Sequence, residues 1–136
     1  MSAENTDVAP GGGPSRAKLL IIDDDPTTCK LLALQLEMED YSCTTLSDPD
    51  QVLDVIAEES PMLILADYHL GSCDGLDLLR TIRNHEECRY LPVVVMSALD
   101  HQEESEAAGA NGFVLKPFGL DDLVTTIQDV LTRQGT

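Results

Sequence analysis

The chain lacks tryptophan and is poor in both basic and aromatic residues. Its 136 residues contain eight Lys and Arg against 25 Asp and Glu, and aromatic residues make up only 4%. The resulting formal net charge of -17 argues against nucleic acid or an anionic membrane as a direct partner, because both require Lys and Arg to neutralise phosphate. The composition instead favours the binding of a cation, or simply high solubility.

Metal-binding cysteine motifs, a signal peptide and long apolar runs are also missing from the sequence. No apolar segment approaches the roughly 18 residues that a membrane span needs, and no charged-then-apolar leader precedes the first strand. The cysteines occur at spacings unlike those of metal ligands: Cys29, Cys43, Cys73 and Cys88. We therefore expect free thiols in a soluble, cytoplasmic protein.

Five short apolar segments alternate with amphipathic ones from Lys18 onward. They predict strands at 19–22, 41–46, 62–66, 93–96 and 112–115, each followed by a helix. Near-continuous apolar strands separated by helices are typical of a parallel sheet covered on both faces, so we predict an α/β doubly wound (βα)5 fold. We expect a flexible tail at residues 1–17, one domain at 18–133 and a short C-terminal end at 134–136.

Polar side chains collect where these predicted strands end, which is the edge at which parallel sheets bind ligands. Each residue alone is unremarkable, because Asp and Ser after a strand commonly cap the next helix. Their joint placement with one of the few Lys residues is harder to explain in that way. The residues at the five strand ends are Asp23, Asp24 and Asp25, then Ser47 and Asp48, then Asp67, then Ser97, and finally Lys116 with Pro117.

Simple electrostatics indicates what such a cluster would bind. Two carboxylates about 5 Å apart repel by roughly 3 kcal/mol at an effective dielectric constant of about 20, so three of them would recruit a cation or raise their own pKa values. Oxygen ligands suit Mg²⁺, which commonly takes one or two carboxylates and a phosphate oxygen. A divalent ion, an Asp nucleophile, a hydroxyl and a Lys together are typical of phosphoryl transfer.

Four segments carry a resemblance to the receiver domain of two-component response regulators, over about residues 18–133. The segments are IIDDDP, LADYHLGSCDG, VVVMSA and GANGFVLKPF. The resemblance implies the flavodoxin-like strand order 2-1-3-4-5. It also implies that a phosphoryl group passes from a phosphohistidine, on a sensor histidine kinase or a histidine phosphotransfer protein, to an aspartate. The receiver itself catalyses this Mg²⁺-dependent step, so it is a phospho-acceptor and not a conventional enzyme.

The resemblance also assigns a role to individual residues. Asp67 would be the phospho-acceptor, Asp23 and Asp24 would hold Mg²⁺ together with Asp67 and the backbone carbonyl of His69, and no other cofactor is implied. Ser97 would supply the hydroxyl that holds the phosphate, Lys116 would pair with it, and Phe113 would be the aromatic whose rotamer follows Ser97. Asp25 is expected to be an acidic residue at the start of the first helix.

Two departures and one weak element bear on regulation. The family usually has Pro four residues after the acceptor, where this chain has Gly71, so we expect a looser loop; His69 and Leu99 occupy positions that tune dephosphorylation. Helix four, at about 101–108, has almost no large apolar residue. We expect the surface of helix four, strand five and helix five to change on phosphorylation and to control a downstream protein or a linked output domain.

Three other readings remain at this point. A phosphatase of the haloacid dehalogenase type needs a second Asp two residues after the nucleophile, where this chain has His69. A flavodoxin would have to accept a flavin phosphate beside Asp23 to Asp25, which would repel it. A degenerate receiver that only binds partners would not need the complete set of acids, hydroxyl and Lys. The histidines His69, His85 and His101 lack the spacing of metal ligands, and Cys73 is expected to be a passive thiol.

Overall fold

The computed structural model describes residues 16–71 and 73–135. Residues 1–15, most of the predicted tail, lie outside the described part. Ala17 is buried, with 4% exposure, and its carbonyl oxygen accepts a hydrogen bond of 2.9 Å from the Ser42 amide. The packed structure therefore includes at least one residue before the predicted start at Lys18.

Five strands form one parallel sheet, and their order confirms the fold predicted from the sequence. The strands are β1 (Lys18–Ile22), β2 (Ser42–Leu46), β3 (Leu63–Asp67), β4 (Val93–Ser97) and β5 (Gly112–Leu115). They lie side by side in the order β2-β1-β3-β4-β5. Because Ile22 pairs with Ala66, and Asp67 with Met96, the carboxyl ends of the three central strands finish at one edge.

Helices follow the strands as predicted. They are α1 (Pro26–Glu37), a 3-10 turn (Pro49–Gln51) leading into α2 (Val52–Glu59), α3 (Gly75–Asn84), α4 (Gln102–Ala107) and α5 (Leu120–Gly135). Asp25 begins α1 as expected, since its carboxylate accepts hydrogen bonds from the Thr27 amide (3.1 Å) and the Thr28 hydroxyl (2.8 Å). Asp48 and Asp74 cap the 3-10 turn and α3 in the same way.

The sheet separates two apolar clusters, because successive side chains of a strand point to opposite faces. On the first face, side chains such as Ile21 and Leu65 pack against α1 and α5. On the second face, side chains such as Ala66 and Val95 pack against α2 and α3. The same alternation determines on which face each polar side chain at the strand ends lies.

Helix α4 has few buried side chains, in agreement with its composition. Ser105 is its one buried residue, with no exposed surface, and the Ser105 hydroxyl has no hydrogen-bond partner among the described residues. A buried hydroxyl without a partner opposes packing, so the face of α4 contributes little to holding this helix on the sheet.

Arg83, near the end of α3, connects two loops through its guanidinium group. This group donates to the carbonyl oxygens of Gly109 (2.8 and 3.1 Å), Leu91 (2.7 Å) and Arg89 (3.0 Å), and to Oδ1 of Asn111 (2.8 Å). Burial lowers the pKa of Arg83. The side chain thereby fixes the loop after α4 to the segment between α3 and β4.

Within residues 16–71 and 73–135, no helix has both the length and the apolar character that crossing a bilayer requires.

Candidate functional site

Three carboxylates meet at the carboxyl edge of the sheet. Asp23 and Asp24 directly follow β1, Asp67 is the last residue of β3, and one oxygen of each lies within 4.8 Å of the others. Asp23 and Asp67 are buried, with 4% and 8% exposure, whereas Asp24 is exposed.

The charge on this cluster is poorly compensated. Burial raises the pKa of Asp23 above its ordinary value, and the negative charge of Asp67 raises it further. The Asp25 amide, which donates to Asp23 Oδ1 at 3.0 Å, opposes that rise only in part. An all-oxygen donor set with unneutralised negative charge suits a hard divalent cation.

The electrostatic strain at Asp23 leads to a stability prediction. Asp23→Asn should raise the melting temperature of the metal-free protein at neutral pH by a few degrees, because the amide removes a buried charge and retains an oxygen for the Asp25 amide. Since the folded-state pKa is raised, the ionised form of Asp23 costs folding free energy at neutral pH, and this cost disappears as the pH falls through that pKa. The advantage of the variant should therefore shrink on acidification, as calorimetry in the presence of EDTA can measure.

The matched control is Asp54→Asn, which makes the same chemical change at an exposed position of α2. We expect the melting temperature of this control to stay close to that of the unmodified protein at each pH. If Asp23→Asn instead melted at a lower temperature than the unmodified protein at neutral pH, the Asp23 carboxylate would be stabilising, contrary to the electrostatic argument.

Ser97 is the last residue of β4 and Lys116 directly follows β5, so both lie at the same edge of the sheet as the acids. Lys116 Nζ is 3.0 Å from Asp67 Oδ1, and the Lys116 side chain remains about a third exposed, at 31%. The Ser97 hydroxyl is fully buried and accepts a hydrogen bond of 3.2 Å from the Leu99 amide. The Lys116 amide donates to the Ser97 carbonyl at 2.7 Å, and the Lys116-Pro117 peptide is cis.

The remaining residues assigned from the resemblance occupy different surroundings. Phe113 pairs with Val95 in the sheet and is half-buried on the second face, where Val95 and Ser97 also lie. His69 has an exposed side chain and bridges to Asp74 across the loop after β3. Leu99 is exposed, at 61%. None of these three side chains belongs to the group of carboxylates that could hold a metal ion.

Two glycines determine the path of the loop after β3. A Cβ at Gly75 would lie 2.6 Å from the Asp67 carbonyl oxygen, so this close approach of two backbone segments requires glycine. Gly71 has a φ of +73°, which proline cannot adopt because its ring fixes φ near -65°. A Cβ at Gly71 would also lie 3.2 Å from Asp24 Oδ2. The replacement of the family's usual Pro thus accompanies a left-handed turn that packs against Asp24.

Gly71→Ala should therefore both destabilise the protein and disturb the acidic cluster. The left-handed conformation costs an alanine about 1 kcal/mol, and the added methyl group must displace the Asp24 carboxylate. We expect the variant to melt at a lower temperature than the unmodified protein, and Mg²⁺ to raise its melting temperature by less. Thermal denaturation with and without Mg²⁺ measures both effects. Gly119→Ala is the control, since a Cβ there meets nothing within 4 Å; equal effects of the two substitutions would contradict the prediction.

The structure also brings together a pair of residues that the sequence did not single out. The Tyr68 and His101 rings are stacked, with centroids 3.8 Å apart and planes inclined by 8°. The His69 ring meets Tyr68 edge-on, with centroids 5.1 Å apart. Tyr68 and His101 belong to separate loops, so no spacing rule in the sequence could have found their contact.

Comparison with protein families gives one match that covers most of the chain. The model of the response regulator receiver domain matches residues 19–128. Among curated proteins, the chain is 31% identical over 120 residues to the phosphate regulon transcriptional regulatory protein PhoB of Pseudomonas aeruginosa, covering 86% of this chain and 52% of PhoB. It is 34% identical over 116 residues to the transcriptional regulatory protein KdpE of Staphylococcus aureus, covering 83% of this chain and 49% of KdpE.

Solved structures agree with this match. The BeF3-activated N-terminal receiver domain of RstA from Klebsiella pneumoniae superposes with a TM-score of 0.75 at 29% identity, covering 84% of this chain and 97% of that domain. The chain spans about half the length of the two curated relatives, PhoB and KdpE.

Proposed function

The chain belongs to the response regulator receiver domain family, and from this membership we propose that Asp67 accepts a phosphoryl group from the phosphohistidine of a histidine kinase or a histidine phosphotransfer protein. The observation that carries the proposal is the position of Asp67 between two charged groups of opposite sign. Its carboxylate lies within 4.8 Å of Asp23 and Asp24 on one side and 3.0 Å from Lys116 Nζ on the other. This arrangement gives a nucleophilic oxygen a place to bind phosphate and a means to neutralise it.

The transfer is a substitution at phosphorus. An Asp67 carboxylate oxygen attacks the phosphorus atom, the bond to the donor's imidazole nitrogen breaks, and that nitrogen recovers its neutral form with a proton from solvent. Hydrolysis reverses the modification when water attacks the same phosphorus atom and releases inorganic phosphate. We propose that the receiver catalyses both steps on itself.

Mg²⁺ is the cation that best fits the acidic cluster. Asp23, Asp24 and Asp67 would hold it together with the backbone carbonyl of His69, and the bound ion would neutralise charge on the phosphoryl oxygens. The raised pKa of Asp23 supports this assignment, because burial and the neighbouring charge of Asp67 both disfavour its ionised carboxylate, and a bound cation would offset both effects.

Ser97 and Lys116 are proposed to hold the phosphoryl group once it has formed. Lys116 would move its ammonium from the Asp67 carboxylate to a phosphoryl oxygen, a short displacement from its 3.0 Å contact. The Ser97 hydroxyl, whose oxygen accepts from the Leu99 amide, would donate its own O–H to another phosphoryl oxygen. Phe113 would then follow Ser97 toward the core, which changes the surface of α4, β5 and α5.

That changed surface is proposed to control a downstream protein or an output domain in the same polypeptide. PhoB and KdpE are named as transcriptional regulatory proteins and are about twice as long as their matched regions. We therefore include the regulation of transcription as an output in the proposal. The receiver itself would make no direct contact with nucleic acid, consistent with its net charge of -17.

Mass spectrometry of the intact protein after incubation with acetyl phosphate tests the proposal. We expect one phosphoryl adduct that is labile to hydroxylamine, requires Mg²⁺ and is absent from Asp67→Asn. Asp54→Asn, at an exposed position of α2, should take up the group normally. An adduct that survives in Asp67→Asn would refute the assignment of the acceptor. No adduct in the unmodified protein, even with rapid quenching, would indicate a receiver fold that only binds partners.

A further inference from the structure

Helix α4 packs beside β5 and is also attached at its two ends. At the C-terminal end, the Arg83 guanidinium binds the Gly109 carbonyl at 2.8 and 3.1 Å. At the N-terminal end, His101 precedes the first helical residue and stacks on Tyr68. Between these ends, the buried residue of the helix is Ser105, whose hydroxyl has no partner among the described residues. The position of the helix therefore depends on these terminal attachments.

The attachment at the N-terminal end leads directly to the acceptor. Tyr68 is the residue after Asp67, and its amide continues the sheet by donating to the Met96 carbonyl at 2.8 Å. A movement of the Asp67 backbone must therefore displace Tyr68. His101 lies at the other end of the loop that begins after Ser97. The two stacked rings thus join the loop after β3 to the loop after β4, immediately beside the phosphorylation site.

The Tyr68–His101 stack is favoured by some of its contacts and opposed by another, which allows it to open. His101 Nε2 is buried without a hydrogen-bond partner among the described residues, which opposes the packing of this ring. The nearly parallel rings and the contact of His101 Nδ1 with Glu104 Oε1, at 3.3 Å, favour it. Opposing contributions of this kind leave only a small net free energy of stacking. A change at the neighbouring acceptor, Asp67, can exceed it.

We propose that the Tyr68–His101 stack is a clasp that positions α4 in the unphosphorylated protein and opens when Asp67 is phosphorylated. This inference rests on the function proposed above and adds a second route from the acceptor to α4, separate from Ser97 and Phe113. His101 is a positioning residue, since it acts on α4 and touches none of the reacting atoms.

Nuclear magnetic resonance of the unmodified protein tests the opening itself. The Tyr68 ring protons lie over the His101 ring and should be shifted by its ring current. We expect this shift to be lost when Mg²⁺ and beryllofluoride are added as a mimic of the phosphoryl group. A Tyr68 ring shift that stays unchanged, while the backbone amides around Asp67 respond to the mimic, would overturn the clasp.

Hydrogen exchange in three variants tests the positioning role. His101→Ala should speed exchange of the α4 amides by about tenfold and reduce the further effect of beryllofluoride to the part carried by Ser97 and Phe113, because the clasp is already open. His101→Phe retains a flat ring and should stay within about twofold of the unmodified protein. Glu104→Gln separates the contribution of the exposed ion pair, and it should change exchange less than His101→Ala.

The exchange of α1 amides serves as the internal reference for these variants. An equal rise in α1 and α4 would indicate general destabilisation and would overturn the proposal, as would identical behaviour of His101→Ala and His101→Phe. Failure of the clasp is distinct from failure of the proposed function, which is tested separately by the acetyl phosphate experiment on the unmodified protein and Asp67→Asn.

Discussion

Lys116→Met should slow phosphorylation of Asp67 by acetyl phosphate about a hundredfold or more, which is the usual effect of removing one positioned donor from a site of developing negative charge. The ammonium lies 3.0 Å from Asp67 Oδ1 in a partly buried pair, so its loss leaves Asp67 beside two other acids without compensation. The rate of adduct formation by rapid-quench mass spectrometry at saturating Mg²⁺ provides the measurement.

Lys18→Met is the matched control for this substitution. Lys18 also forms a short ion pair, at 2.8 Å from Glu59, but both side chains are more than a third exposed. Exposed ion pairs contribute little to stability, so this variant should change the unfolding free energy by less than about 1 kcal/mol and leave phosphorylation unchanged. Equal phosphorylation rates for Lys116→Met and the unmodified protein would refute the role proposed for the Lys116 ammonium.

Arg83→Met should reduce the free energy of unfolding by about 3 kcal/mol or more, the largest stability loss that we expect from a single surface-reaching side chain. The substitution leaves the part-buried carbonyl oxygens of Gly109 and Leu91 without their guanidinium donor, whereas Oδ1 of Asn111 keeps its hydrogen bond from the Val93 amide, at 2.9 Å. Because a partly buried acceptor without a donor has lost hydration and gains nothing in return, each of the two carbonyls adds to the loss. Urea denaturation gives the difference directly.

Two further substitutions separate charge from geometry at this position. Arg83→Lys keeps the positive charge but replaces a planar fork by a single ammonium, so it should recover only part of the lost free energy. Arg80→Met removes an exposed Arg one turn earlier, whose pair with Asp77 is 57% and 60% exposed, and should be nearly neutral. A loss for Arg80→Met as large as that for Arg83→Met would contradict the explanation.

The fold was predictable because its signals are local. Each buried strand appears as an unbroken apolar segment, and the structure places each strand end within one residue of its predicted position. The convergence of Asp23 and Asp67 followed from a general rule, that parallel strands finish at one edge. Their roles came only from the resemblance to receivers, since an Asp that caps a helix and an Asp that accepts phosphate look alike in a single sequence.

The contacts that sequence reasoning missed are those between distant loops. Arg83 has the appearance of any helical surface Arg, yet its guanidinium reaches the carbonyl of Gly109, which follows a different helix. The stacking of Tyr68 on His101 depends on how two loops approach each other, which neither periodicity nor composition encodes. The left-handed turn at Gly71 was anticipated only as looseness, although the structure gives it a defined contact with Asp24.

Because side chains alternate across the sheet, the phosphoryl group proposed for Asp67 would lie where the two faces of the sheet meet. Asp67 lies on the same face as Leu65, toward α1 and α5, whereas Ser97 lies on the same face as Val95, toward α3. The sheet separates two hydrophobic clusters. A group bound by both Asp67 and Ser97 would lie at the edge of the sheet, between these clusters. A single covalent event there would therefore contact residues from both faces of the sheet at once.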